Sequence, residues 1–333
     1  MLHPPGQRTT SGSILDDRFV SYDGTALPLK QWSPEPDKTK AVLIALHGFN
    51  DYSNFFQQPG SYFKNQGIHC YAYDQRGFGA SPKPGFWSGV EAYKQDLHLF
   101  VQRVREKHPD LPLFLLGESM GGAVAIVTAA FYPNLPINGL ILAAPAVWAR
   151  QTMPWYQRFL LSALAHTLPW LTVTGASLEI QASDNIEMLN ALSRDPLVIK
   201  ETRIDAIYGL ANLMDAALLA AENTRQTTLL LYGEHDQIIP MQATTAFLRQ
   251  FMRNRQQSKT LALYPQGYHM LLRDRQAPLV WQDIYNWIQH PGHPLPSRAD
   301  RRGLELLDTF TNSGTGLYQK FRLTNHDNVY VEH

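Results

Sequence analysis

Six short apolar runs constrain this chain more than any other feature. They are Ala41–Leu46, Ile68–Tyr73, Leu113–Leu116, Gly139–Ala143, Thr228–Tyr232 and Thr260–Tyr264. A strand with one wet face alternates apolar and polar residues, and these runs do not. They fit a sheet covered on both faces, which parallel strands require. The segments between them carry helical spacing. Val90–Lys107 sets Tyr93, Leu97, Phe100, Val101 and Val104 on one side, and Gly121–Phe131, Gln242–Met252 and Val280–Ile288 read the same way. The alternation predicts an α/β fold with a mostly parallel central sheet flanked by helices. Phe19–Tyr22 and Ala26–Trp32 flank Asp23-Gly24, a hairpin signal.

The domain organisation follows from where the alternation stops. Residues 1–14 are rich in Pro, Gly, Ser and Thr and are expected to be a flexible N-terminal segment. Residues 15–290 form the main domain. Within it, about 147–224 reads as a helical cap inserted between two strands. Residues 291–333 follow Pro291-Gly292 and Pro294, show weak periodicity, and are expected to form a C-terminal extension of unknown role.

Composition removes several functions. The chain has 333 residues, with 29 Lys+Arg against 29 Asp+Glu, so it carries no net charge to attract nucleic acid. A single cysteine, Cys70, excludes an internal disulfide and a cysteine-built zinc cage. Cys70 lies within an apolar strand and reads as core. Two long uncharged stretches fail as membrane spans: Pro133, Asn134, Pro136 and Asn138 split one, and His166, Pro169 and Gly175 interrupt the other. Met1–Gly6 has neither a basic region nor an apolar one, so the chain as it reads is expected to be cytoplasmic. The alternative is a bacterial cell envelope protein whose N-terminal signal was removed.

Four segments at the carboxyl ends of predicted strands carry chemistry, which is where parallel sheets place their ligands. Gly117-Glu118-Ser119-Met120-Gly121 sits between a strand and a helix. A serine on so sharp a turn is exposed and strained, and it needs small flanking residues. Ala45-Leu46-His47-Gly48-Phe49-Asn50 follows a buried strand and supplies a backbone donor at Phe49. His47 comes too early in the chain to be the base and is expected to brace this loop. Gly233-Glu234-His235-Asp236 offers two carboxylates, of which Asp236 fits the turn position better. Gly267-Tyr268-His269 follows the last strand, and Gly267 lets the loop carry His269 inward. Ser119, Asp236 and His269 thus stand in the order nucleophile, acid, base. No metal and no organic cofactor is needed.

With these residues in view, the sequence resembles the α/β-hydrolase superfamily, and within it the monoacylglycerol lipase and lysophospholipase branch. The resemblance covers about residues 17–290. It is carried by His47-Gly48, Asp74-Gln75-Arg76-Gly77-Phe78-Gly79 with Ser81, Gly117–Gly121, Ser193-Arg194-Asp195-Pro196, Gly233–Asp236 with Pro240, and Gly267 with His269. It implies a serine nucleophile at Ser119, a supporting acid at Asp236, a base at His269, and an oxyanion hole from the N–H groups of Phe49 and Met120. The Asp74–Gly79 run is expected to hold its loop through Asp74 and Arg76. Two features depart from the family. His47-Gly48-Phe49-Asn50-Asp51 stands where the pattern is often His-Gly-x-Gly-Glu, and the tail beyond about His290 is extra.

The expected activity is carboxylic ester hydrolysis through an acyl-serine, on monoacylglycerol or lysophospholipid-like substrates. The alternatives are a short-chain carboxylesterase or another acyl transferase, and a ligand-binding hydrolase-like protein with poor turnover. From Val147 to Leu178 the only charges are Arg150 and Arg158. Trp148, Trp155, Phe159 and Trp170 there are expected either to shelter an apolar acyl chain or to pack the cap onto the core. The partner is therefore a small ester with an apolar chain, with peripheral membrane contact through the cap as a further possibility.

Overall fold

In the computed structural model the six apolar runs lie side by side. The structure describes residues 6–7, 9–174, 180–254 and 258–312, so expectations for residues 1–5, 8, 175–179 and 313–333, Gly175 and Leu178 included, lie outside the described residues. Along the chain come β1 (Ser13–Ile14), β2 (Arg18–Val20), β3 (Ala26–Trp32), β4 (Ala41–Leu46), α1 (Gln57–Asn65), β5 (Ile68–Tyr73) and α2 (Val90–Lys107). Then follow β6 (Leu113–Glu118), α3 (Met120–Phe131), β7 (Gly139–Ala143), α4 (Trp155–Thr167), β8 (Thr172–Thr174), α5 (Ile186–Arg194), β9 (Glu201–Arg203) and α6 (Ile204–Ala220). The chain continues through β10 (Thr228–Gly233), α7 (Met241–Phe251), β11 (Lys259–Tyr264), α8 (Ala277–Gln289) and α9 (Ala299–Asn312).

Among the described residues nine strands form one sheet in the order β1-β2-β3-β5-β4-β6-β7-β10-β11. Every neighbouring pair from β5 to β11 is parallel, and β1, β2 and β3 close one edge antiparallel. The unbroken runs are apolar because each strand feeds two cores. Val42, Ile44 and Leu46 of β4 face one core, and Ala41, Leu43 and Ala45 face the other. The first core holds buried residues of α2, α3, α6 and α7, and the second holds α1 and α8. Each fully buried leucine, such as Leu229, Leu230 or Leu231 of β10, contributes about 1.5–3 kcal/mol.

Four details differ from the sequence expectation. Helix α1 contains Pro59 and Gly60, which hide it from propensity; Pro59 falls in the first turn, and a Cβ on Gly60 would meet the Trp32 ring at 2.5 Å. The described part of the N-terminal segment is tied down, because β1 pairs with β2, and Thr9 and Thr10 donate to the Tyr22 carbonyl. The cap is not wholly helical, since β8 and β9 pair antiparallel within it. The extension beyond 290 begins as core: Leu295, Ala299 and Leu306 are buried, and a Cβ on Gly303 would lie 2.0 Å from the Leu261 carbonyl oxygen of β11. So close a seat needs glycine, and glycine also weakened the helical signal.

Candidate active site

The turn between β6 and α3 holds Ser119 at φ 53°, a left-handed backbone costly for any residue but glycine. Its neighbours show why the sequence is glycine-rich there. A Cβ on Gly117 would sit 2.4 Å from the Gly121 carbonyl oxygen, and one on Gly121 would sit 2.4 Å from that of Leu46. The strain is held by the surroundings. Ser119 donates its N–H to the Ala143 carbonyl, and its own carbonyl accepts from Ala123 and Ala146. The serine side chain stays partly exposed at the head of α3.

The loop after β4 reaches the same turn. A Cβ on Gly48 would lie 3.3 Å from Ser119 Cβ, so the two backbones pass in contact. The N–H groups of Phe49 and Met120 have no hydrogen-bond partner among the described residues. Two unspent donors beside a strained serine form a place where negative charge can develop on an acyl oxygen. The Phe49 ring turns away and packs against Phe78 and Trp87. His47 is fully buried and uses both ring nitrogens: Nδ1–H donates to the Gly48 carbonyl, and Nε2 accepts from the Gln75 N–H. Burial pushes the pKa of this imidazole down. It braces the loop and has no nitrogen left for proton transfer. Asn50 takes the left-handed φ of 64° that the family pattern gives to glycine, and its amide donates to Thr202 Oγ1 in the cap.

The third and fourth segments meet each other. His269 Nδ1 lies 2.9 Å from Asp236 Oδ2, with both side chains about 5% exposed. The other oxygen of Asp236 accepts from the N–H groups of Ile238 and Ile239, so the carboxylate is held in its turn. Burial pulls the His269 pKa down, but the Asp236 carboxylate overcomes this and the net shift is upward. Glu234 points elsewhere and pairs with Arg302 of α9. Among the described residues no hydrogen bond joins His269 to Ser119. Such contacts are often long in an empty site and tighten with substrate.

The Asp74–Gly79 run is scaffold. Asp74 accepts from Ser53 and Ala80 N–H groups, and the Arg76 guanidinium is shared between Asp23 and Asp96.

Sequence reasoning missed an ion cluster that binds the loops together. Arg273 Nη2 donates to Glu118 Oε2 at 2.9 Å, and its Nη1 lies 2.7 Å from Asp51 Oδ2 as an ion pair. Glu118 precedes the serine, Asp51 ends the oxyanion loop, and Arg273 is four residues past His269. Burial pushes the Glu118 carboxyl up against the opposing pull of Arg273. The one sequence signal was Asp51 standing at the family's glutamate position; its partner lies far away in the chain. Asp51 and Arg273 also line a cavity of about 220 Å³, with Tyr52 and Phe55 on one side and Met188 and Leu192 of α5 on the other.

The cap aromatics divide. Trp148 packs partly buried against the core. Trp155, Phe159 and Trp170 are 72%, 70% and 62% exposed, so these three do not pack the cap down, contrary to one of the two expectations for them. Helix α4 has no buried residue, while α6 behind it is a core helix against α3.

Comparison with known proteins agrees with this geometry. The profile of the serine aminopeptidase S33 family matches residues 37–276. Mouse monoglyceride lipase is 26% identical over 278 residues, covering 82% of this chain and 89% of that protein. The monoacylglycerol lipase of Mycolicibacterium smegmatis is 26% identical over 291 residues, covering 84% and 98%. Among solved structures, the monoacylglycerol lipase of Paleococcus ferrophilus superposes with a TM-score of 0.65 at 22% identity, covering 79% of this chain and 98% of that one. This structural likeness establishes the α/β-hydrolase fold.

Proposed function

This chain belongs to the serine aminopeptidase S33 family, and from that premise and the geometry around Ser119 we propose that it is a serine ester hydrolase acting on monoacylglycerol-like lipids. One observation carries the reading. The turn that strains Ser119 holds the unpaired N–H of Met120, the loop after β4 brings the unpaired N–H of Phe49 beside it, and the buried Asp236–His269 pair lies in the loops at the same end of the sheet.

The chemistry follows from the contacts. Asp236 accepts the Nδ1 proton of His269, which leaves Nε2 free to act as base. His269 takes the Ser119 proton as Oγ attacks the ester carbonyl. The tetrahedral oxyanion is held by the Phe49 and Met120 N–H groups. His269 then protonates the leaving alcohol, and the acyl-serine is released by water that the same imidazole activates. An ester rather than a peptide bond is favoured by the two relatives named lipases, although the family description reads aminopeptidase. The exposed Trp155, Phe159 and Trp170 support peripheral contact of the cap with a lipid surface.

Replacing Ser119 by Ala is expected to cost orders of magnitude in kcat, up to about 10⁶, and to abolish labelling by a fluorophosphonate probe. Hydrolysis of a p-nitrophenyl ester at the unmodified rate by that variant overturns the assignment. Monoacylglycerols, lysophospholipids, short esters and an aminoacyl p-nitroanilide, assayed side by side, fix the substrate. Preference for acetate over medium-chain esters, or for the anilide, excludes the lipid reading. Labelling followed by a single slow turnover identifies a binding protein.

A further inference from the structure

We propose that Asp274 is a positioning residue that joins the loop carrying His269 to the cap, so that base and cap hold one another in place. This rests on the assignment of His269 as the base.

Asp274 is 3% exposed, lies five residues past His269, and has no part in the proton transfers above. Its two oxygens are spent in different directions. Oδ2 accepts the N–H of Tyr268, the residue before His269, at 2.8 Å. Oδ1 accepts the hydroxyl proton of Ser183, a fully buried cap residue, at 2.6 Å. One carboxylate therefore ties the backbone of the residue before the base to the cap.

Three more bonds run along the same seam. Met270 N–H donates to the Ala182 carbonyl, the Asn185 amide donates to the Arg273 carbonyl, and Arg275 N–H donates to Asp184 Oδ1. Asn185 also caps α5 by accepting from Met188 N–H, so the seam continues into the helix that walls the cavity beside Asp51 and Arg273. Burying a carboxylate is costly, and burial pushes Asp274 up to about 6, with Asp184 and Glu118 adding like charge. A packed apolar residue would avoid that cost. What an apolar residue cannot supply is two acceptors aimed at two separate segments.

The experiment uses Asp274→Ala, Asp274→Asn and Ser183→Ala in the full chain. Asn is isosteric and meets both partners, its oxygen accepting from Tyr268 N–H and its amide donating to Ser183 Oγ. Displacing a catalytic group by about 1 Å costs on the order of 10²-fold. Asp274→Ala should therefore lose about 10- to 100-fold, mainly in kcat, and Asp274→Asn should recover most of it. The acid limb of the kcat/KM pH profile should move to lower pH in Asp274→Ala, because a loosened His269 feels less of Asp236, and should return in Asp274→Asn. Ser183→Ala cuts only the cap arm and should raise KM for long-chain esters more than for acetate.

A folded Asp274→Ala with unaltered kcat and pH midpoint overturns the proposal. So does equal impairment of the Ala and Asn variants, and so does an unaltered chain-length profile in Ser183→Ala. If Asp274→Ala does not fold, the other two variants carry the test. His269→Ala with full activity would instead overturn the base assignment, independently of Asp274.

Discussion

At the scale of single residues, the acid loop holds a choice that sequence left weighted but open. Glu234 and Asp236 share a turn after β10, and only Asp236 meets His269; Glu234 forms a partly exposed pair with Arg302. Asp236→Asn removes the charge that supports the imidazolium and favours the wrong tautomer, and is expected to lower kcat by about 10⁴. Glu234→Gln should leave kcat intact and change stability by no more than about 1 kcal/mol. In the proposed mechanism His269 must be neutral to accept the serine proton, so kcat/KM should fall as pH drops through its pKa. That pKa lies above the ordinary 6.5 because of Asp236. The acid-limb midpoint should therefore lie above 6.5 in the unmodified chain and fall in Asp236→Asn. An unshifted midpoint in that variant would place the supporting charge elsewhere. Ser119, Asp236 and His269 were legible because each sits beside glycine at a strand end, a pattern local to the chain. The Glu118–Arg273–Asp51 cluster was not, because its members come from the end of β6 and two loops far apart in the chain, and no local spacing joins them.

At the scale of elements, legibility followed burial. The doubly covered strands announced themselves as unbroken apolar runs, and β4, β5 and β7 begin and end where those runs do. The elements that escaped are those whose packing demands poor helix formers. Helix α1 carries Gly60 against Trp32, and α9 carries Gly303 against the Leu261 carbonyl. Helix α9 also covers the β11 edge of the sheet, sends Arg302 to Glu234 and places Leu306 beside Tyr232 and Asp236 around a void of about 10 Å³. Gly303→Ala puts a methyl 2.0 Å from a backbone oxygen that cannot move without the sheet. It should destabilise the fold by about 1–3 kcal/mol in denaturant titration, despite alanine's better helix propensity. Leu304→Ala, one residue along and 60% exposed, should stay within about 0.5 kcal/mol. Equal stability of the two variants would mean that α9 does not sit tightly on β11.

At the scale of the whole molecule, charge is balanced and apolar exposure is not. The chain carries 29 basic and 29 acidic residues, yet α4 and the turn after it expose Trp155, Tyr156, Phe159, Leu160, Trp170 and Leu171. This run of large exposed apolar side chains is what the proposed lipid contact rests on, because water penalises leaving it bare. The proposal also predicts what kind of lipid surface the cap should prefer. A basic patch would seek anionic headgroups and release them in salt. Here Arg150 is paired with Asp215, so Arg158 is the charge left on this side from Val147 to Thr174. Insertion driven by aromatic area should therefore be nearly indifferent to lipid charge and to ionic strength. Co-sedimentation with phosphatidylcholine vesicles should equal that with vesicles containing phosphatidylserine, and should persist at 1 M salt, where screening acts within about 3 Å. Trp155→Ser with Phe159→Ser should weaken that association and lower turnover of a long-chain ester held in vesicles more than turnover of a dissolved butyrate ester. Binding confined to anionic vesicles and lost in salt, or a double variant that sediments like the unmodified chain, would remove the cap from this role and leave the chemistry at Ser119 untouched.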